Sequence, residues 1–163
     1  MKNCKSKLQI YKFIQIALIF CVIVFFASSC ERKNNKTLYH TSLLVGNSRI
    51  FTRIAATPNE QIQGLSGEKK LLETNGVLFD FTNDSGKKTF WMKDMNFNLD
   101  LIWIKKNIVV GITANATAPK KNTPDEALLL YSSPESVDQV LEVNAGWSER
   151  NGIKIGDKIK FED

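Results

Sequence analysis

From Tyr39 onward the chain is written mostly in a period of two, and that period limits what it can become. Apolar side chains recur at alternate positions in short runs, and Gly, Asn, Asp or Lys interrupts them about every ten residues. Successive side chains of a strand point to opposite faces, so such runs build sheets with one or both faces buried. Residues 42–55 read as a hairpin turning at Gly46-Asn47, where glycine permits positive φ. Residues 76–82, 89–93, 98–104, 108–114, 127–131 and 139–144 read as further strands, and 153–161 as a closing hairpin turning at Gly156-Asp157. Thr57-Pro58-Asn59-Glu60 starts a helix, with Thr57 as N-cap, Pro58 in the first turn and Glu60 completing a capping box; Gly64 or Gly67 stops it. Ser133-Pro134 opens a helical turn, and 146–151 form another, capped by Gly152. The sum is about eight short strands with two or three short helices: a β-rich α+β fold, one compact domain, partly barrel-like.

The segment before this domain has a different grammar. Lys2, Lys5, Lys7 and Lys12 precede an apolar run, residues 13–27, interrupted only by Gln15. A basic start, an apolar core and small residues afterwards make a secretory signal. Ala27-Ser28-Ser29-Cys30 resembles the lipobox of bacterial lipoproteins, with Ala27 standing where Leu is commonest. That resemblance implies cleavage before Cys30, which becomes the new amino terminus and carries lipid. An uncleaved single-pass anchor is the alternative, and it too places the domain outside the cytoplasm. The expected organisation is a signal at 1–29, a lipidated Cys30 with a polar tether through residue 38, and the domain at 39–163.

Removing the signal changes what the charge means. The formal net charge is +5, from 22 basic and 17 acidic residues. No acid precedes Cys30, so from Cys30 onward 18 basic residues face 17 acidic ones, a net of +1. A near-neutral domain offers no footprint for a phosphate backbone, which argues against nucleic acid as a partner. All three cysteines, Cys4, Cys21 and Cys30, fall in the first 30 residues, and His40 is the only histidine. The domain therefore has no disulfide, no thiolate nucleophile and no ordinary zinc or copper ligand set; no metal and no cofactor is expected.

Chemistry, if present, must come from ionisable groups set among apolar ones. In residues 99–104, Leu99, Leu101 and Trp103 share one face while Asp100, Ile102 and Ile104 share the other. With both faces apolar the strand reads as central and Asp100 as poorly solvated, which costs several kcal/mol without a partner. Lys93 is the partner suggested by a short connecting loop. Glu142, between Val140 and Asn144, and Asp80, after Leu78, are similar misfits. One reading is a pocket edged by Trp91, Lys93, Asp100, Tyr131 and Glu142, with the aromatics stacking on a flat ligand and Asp100 and Glu142 as acid and base. The plainer reading makes Lys93–Asp100 an internal ion pair and Glu142 a cap near Gly146. Phe79, Phe81, Phe90, Trp103 and Phe161 read as core, Trp147 as either a plug or an exposed contact, and Asp125-Glu126 as the end of a second Thr-Pro-x-Glu cap.

Several runs together resemble a known family. They are Gly64-Leu65, the run 76–81 (GVLFDF), Phe90-Trp91-Met92-Lys93, the run 99–104 (LDLIWI), Tyr131, the run 140–146 (VLEVNAG) and Gly156-Asp157. This pattern is similar to the domain-of-unknown-function family 192, over about residues 54–160. The resemblance implies a single small β-rich domain, often exported, and no particular activity. Gln61 stands where Arg is usual, Ser66 where Met is, Asp94-Met95 where Asn-Thr is, and Asn98 where Pro is.

The sequence thus points to a membrane-anchored envelope lipoprotein, a monomer, whose domain binds a glycan, a cell-wall fragment or an envelope protein. A carboxylate-dependent hydrolase of envelope carbohydrate and a purely structural or assembly role are the alternatives.

Overall fold

The structure is a computed structural model and describes residues 39–162. The expected signal, Cys30 and the expected tether fall at 1–38, outside the described residues. The strands are β1 (Thr41–Val45), β2 (Ser48–Ala55), β3 (Asn75–Asp80), β4 (Thr89–Trp91), β5 (Leu99–Lys105), β6 (Ile108–Ala116), β7 (Leu130–Ser132), β8 (Gln139–Asn144) and β9 (Ile159–Glu162). Helix α1 (Pro58–Gln63) follows β2, α2 (Trp147–Arg150) follows β8, and a short 3-10 turn, Asp125–Ala127, precedes β7.

Seven strands form one sheet in the order β6-β5-β8-β3-β2-β1-β9, while β4 and β7 pair as a separate ribbon. Every pairing is antiparallel except β2 with β3, whose crossover carries α1. The sheet curls until its two edges meet. An isolated bridge joins Ile108 to Lys158, and the Ile159 amide donates to the Asn107 carbonyl at 2.8 Å. Closure of this kind leaves less open edge than a flat sheet would.

Curling divides the core in two. The enclosed face draws apolar side chains from all seven strands, among them Val45, Ile50, Leu78, Ile102, Leu141 and Ile159, and Trp147 of α2 packs with them. The outer face of β2, β3, β5 and β8 carries the second cluster, including Ala55, Val77, Phe79, Leu101, Trp103 and Val140. It is covered by the loop after α1, the β4–β7 ribbon and its flanks, through Leu65, Met92 and Met95. β5 is second from the edge of the sheet, yet Leu99 through Ile104 are all buried. The added outer layer, not a central position, explains its two apolar faces. Trp103 is 1% exposed and its indole N–H donates to Thr113 Oγ1 at 2.9 Å, so a large apolar surface is buried without an orphaned donor.

The hairpin at Gly46-Asn47 forms with Val45 opposite Ser48, and Gly46 has φ 59°. The capping box also forms. Thr57 Oγ1 accepts from the Glu60 amide at 3.3 Å, and Glu60 Oε2 accepts from the Thr57 amide at 2.9 Å. Gly64 caps the other end of α1 at φ 43°. Four expectations fail. Ser133-Pro134 starts no helix, because Ser133 Oγ instead accepts from the Lys88 amide and donates to the Glu135 carbonyl. Residues 153–157 form a turn held by Asp157 Oδ2 on the Lys154 amide, so β9 stands alone and pairs with β1. The cap expected at Thr123 does not form; the 3-10 turn has Pro124 at its start and no side-chain cap. Phe161 shares a face with Ile159, two residues before it, but lies toward the end of edge strand β9 and is 46% exposed.

Candidate functional site

A cavity of about 330 Å³ opens between α1 and the outer face of the sheet. Its floor is Phe79 and Glu142, one side is Phe90 and Trp91 of β4, and the roof is Ile62 and the Gly64–Ser66 turn. α1 buries none of its own residues, so polar contacts hold it in place. Gln61 Nε2 donates to the Asp80 carbonyl at 2.8 Å, tying the helix to the end of β3. Ser66 Oγ donates to the Lys93 carbonyl at 2.9 Å, and the Gly67 amide to the Asp94 carbonyl at 2.9 Å, tying the following loop to the end of β4. The aromatic wall is set edge to face: the Phe79 and Phe90 rings lie 4.9 Å apart at 83°, and Phe90 and Trp103 lie 5.7 Å apart at 80°. That is a favourable geometry for fixed aromatic pairs.

Glu142 is the unusual group in this wall. It lies in β8 opposite Val77 and Leu101, in the middle of the outer face, and is 5% exposed. Its Oε2 is buried without a hydrogen-bond partner. Burial pushes its pKa up to about 8, against the pull of the Arg53 guanidinium. At neutral pH it is therefore mainly a carboxylic acid, a hydrogen-bond donor facing an apolar space. Arg53 lies in register beyond Val77, on β2, and its Nη2 donates to the Gly64 carbonyl at 2.8 Å. Its Nε is also buried and unpartnered. Tyr39 lies beside Arg53, and burial raises its pKa, with Arg53 opposing.

The sequence profile of the domain-of-unknown-function family 192, described as "Uncharacterized ACR", matches residues 42–161. The chain belongs to that family. Two solved structures share the fold. One, from Sinorhizobium meliloti and provisionally named a transcription regulator, is 26% identical, with a TM-score of 0.64, covering 74% of this chain and 91% of the other. A protein of unknown function from Novosphingobium aromaticivorans is 28% identical, with a TM-score of 0.64, covering 73% and 83% respectively. No curated protein matches the chain.

Of the five side chains expected to edge one pocket, only Trp91 and Glu142 line the cavity. Asp100 belongs to the other side of the sheet. It pairs with Val143 where Leu101 pairs with Glu142, so alternation turns the two carboxyls to opposite faces. Its oxygens accept from the amides of Asn115 at 2.9 Å, Gly146 at 3.1 Å and Ser148 at 3.0 Å. Asp100 thus serves as the cap that α2, whose N-cap is Gly146 at φ 77°, lacks among its own residues. Lys93 pairs with Asp125, not Asp100, and its Nζ lies 5.3 Å from the centre of the Trp91 ring. The 3-10 turn brings Asp125 to it, a contact that strand order did not suggest. Tyr131 pairs with Phe90 across the ribbon and spends its hydroxyl on the Thr117 amide at 2.9 Å. Glu142 caps no turn near Gly146; that work falls to Asp100. Trp147, 4% exposed, is a plug of the enclosed core.

Family departures are accommodated locally. Gln61 and Ser66 make the contacts given above, and Asn98 Oδ1 accepts from the Ala118 amide at 2.9 Å. Asp94 sits at φ 56°, a conformation its short polar side chain tolerates. The sequence pattern singles out neither Arg53 nor the cavity role of Phe79 and Phe90. The available signal was a cation between Phe51 and Ala55 at the period of two. Among the described residues no group of three His, Cys, Asp or Glu side chains could hold a metal.

Proposed function

We propose that this is a ligand-binding domain held at the outer side of a bacterial membrane by lipid on Cys30, and that its cavity takes a flat, largely apolar small molecule carrying a hydrogen-bond acceptor. The observation that carries the reading is the unpartnered carboxyl of Glu142 at the floor of an aromatic cavity. Burying a polar group without a partner costs free energy, and a ligand acceptor over Glu142 removes that cost. The walls suit stacking and edge contacts with a ring system. A glycan fits less well, because it needs many polar partners and the lining supplies few. The hydrolase reading loses its acid–base pair, since Asp100 and Glu142 face opposite sides of the sheet. The lipid attachment rests on the cysteine and the small residues before it.

The test is a thermal-unfolding screen of the full chain in lipid nanodiscs, against planar aromatic compounds with a carbonyl or hydroxyl group. A ligand at about 100 times its Kd should add roughly 2.7 kcal/mol of stability. The shift should vanish in Glu142→Leu, which keeps an apolar floor. If planar compounds give no shift while soluble glycans do, the reading is wrong. Labelled fatty acid should enter the chain in cells and be absent from Cys30→Ser; equal labelling of both would sink the anchor.

A further inference from the structure

The rim of the cavity is apolar and exposed where a soluble surface would ordinarily be polar. Ile62 of α1 is 77% exposed, Trp91 of β4 is 48% and Leu130 of β7 is 67%. They are neighbours. Trp91 and Leu130 are directly opposite in the ribbon, and Ile62 and Trp91 share both the cavity mouth and the adjoining groove. We propose that this rim rests in the headgroup region of an anionic bilayer, so that the cavity opens onto lipid and draws its ligand, an amphiphile, from the membrane. The proposal rests on the lipid-anchored, ligand-binding reading above and names where the ligand comes from.

Three observations select a bilayer over other occupants. The first is side-chain type. Tryptophan at the border of an apolar patch, with a lysine beside it, is the pairing favoured at membrane interfaces, where the ring sits at headgroup level and the ammonium reaches phosphate. Lys93 stands against the Trp91 ring, and exposed Lys120 and Lys121 line the next groove together with Lys93. Asp94 and Asp125 lie there too, so the attraction to anionic lipid is modest and the apolar rim supplies most of the hold.

The second is where the tether enters. Tyr39 packs on the outer-face cluster and lies beside Arg53, which holds the Gly64 carbonyl in the cavity wall. The chain therefore joins the domain on the side of the sheet that carries the cavity. The third is length. The nine residue steps from Cys30 to Tyr39 reach no more than about 32 Å. A lipid at Cys30 would hold the domain within about that distance of the bilayer, and a small apolar patch held at such an effective concentration needs little affinity of its own.

Tryptophan fluorescence tests it. Trp103 is 1% exposed and Trp147 4%, so the part of the emission lost in Trp91→Phe reports the rim. The full lipidated chain would be placed in vesicles of phosphatidylethanolamine and phosphatidylglycerol, with and without bromine on the upper acyl carbons. The expected result is that brominated lipid quenches most of the Trp91 emission while aqueous acrylamide quenches little of it. In Ile62→Asp and in Leu130→Asp the pattern should reverse, with the Trp103 and Trp147 emission unchanged as evidence of an intact fold. Trp91 open to acrylamide and untouched by bromine overturns the proposal, as does Trp91 shielded from both, which would mean that protein covers the rim. Flotation separates the two levels: a chain that floats with a wet Trp91 sinks only this inference. A chain that fails to float and carries no lipid by mass spectrometry sinks the anchor reading as well.

Discussion

Asp100 and Glu142 are carboxyls one register step apart on neighbouring strands, and the fold treats them in opposite ways. Asp100 points toward the enclosed core and is met by three backbone amides, two of them at the start of α2. Glu142 points toward the outer layer, and its buried Oε2 meets no donor. The enclosed face ends at a helix whose free N–H groups need an acceptor, so a carboxylate there completes the structure. The outer face has strands on both sides of Glu142, whose amides are already committed to the ladder, so a carboxyl there stays unsatisfied. Burial alone therefore does not mark a site; burial without partners, beside a cavity, does.

The widest gap between the two faces should appear on truncation. Asp100→Ala strands three amides beneath the packed end of the sheet, and losing a buried charged acceptor of this kind costs about 3–5 kcal/mol. Urea unfolding should show the midpoint falling steeply, with the emission of Trp147, next to those amides, changing in the folded baseline. Asp100→Asn should recover little, because its amide group presents N–H to N–H. A midpoint close to that of the parent protein would mean that α2 is held by Trp147 packing and that the two carboxyls are alike after all.

Much of this architecture is legible in the residues, and the contrast between the faces is the part that is not. The hairpin at Gly46-Asn47, the capping box at Thr57 and the strands 99–105 and 139–144 follow from local chemistry, which adjacent residues carry. Alternation also says that Asp100 and Ile102 share a face, and that Val140 and Glu142 do. It does not say how β5 and β8 are registered, and that register alone decides that the two carboxyls part company. The same limit hid Arg53, which reaches the neighbourhood of Glu142 from β2 across the intervening β3. Lys93 went to Asp125 because a 3-10 turn far along the chain folds back beside it, a long-range contact with no local mark.

The next effect is one of pH, and it belongs to Glu142 alone. Its pKa is about 8 in the folded protein and near 4.5 when unfolded. Between those values the folded state holds a proton that the unfolded chain has released, so raising the pH draws the equilibrium toward unfolding. The contribution is fully present below about pH 4.5 and is lost as pH rises through about 8, at a rate of at most about 1.4 kcal/mol per pH unit. Glu142→Gln removes the titration, so its stability relative to the parent protein should grow across that window and level off above it. Urea midpoints at half-unit steps of pH would show this. Parallel profiles for the two proteins would mean that water or a ligand reaches Glu142 and that the asymmetry between the faces is smaller than the geometry implies.

The smallest effect tests the pairing that strand order suggested. Lys93 faces Asp125 at a well-solvated rim, where an ion pair gains little in water and is screened by salt. Lys93→Met should therefore leave the urea midpoint almost where it was, and added salt should narrow even that difference. The sharper measurement is a double-mutant cycle with Asp100→Asn. Lys93 lies on the outer layer and Asp100 is sealed by backbone amides on the other side of the sheet, so the two substitutions should add within experimental error. A clear excess in the cycle would place the ammonium within reach of Asp100 and make the enclosed carboxylate a paired one. Additivity with Asp100, together with coupling to Asp125→Asn, would confine Lys93 to the rim beside Trp91, leaving the amides of Asn115, Gly146 and Ser148 as the partners of Asp100.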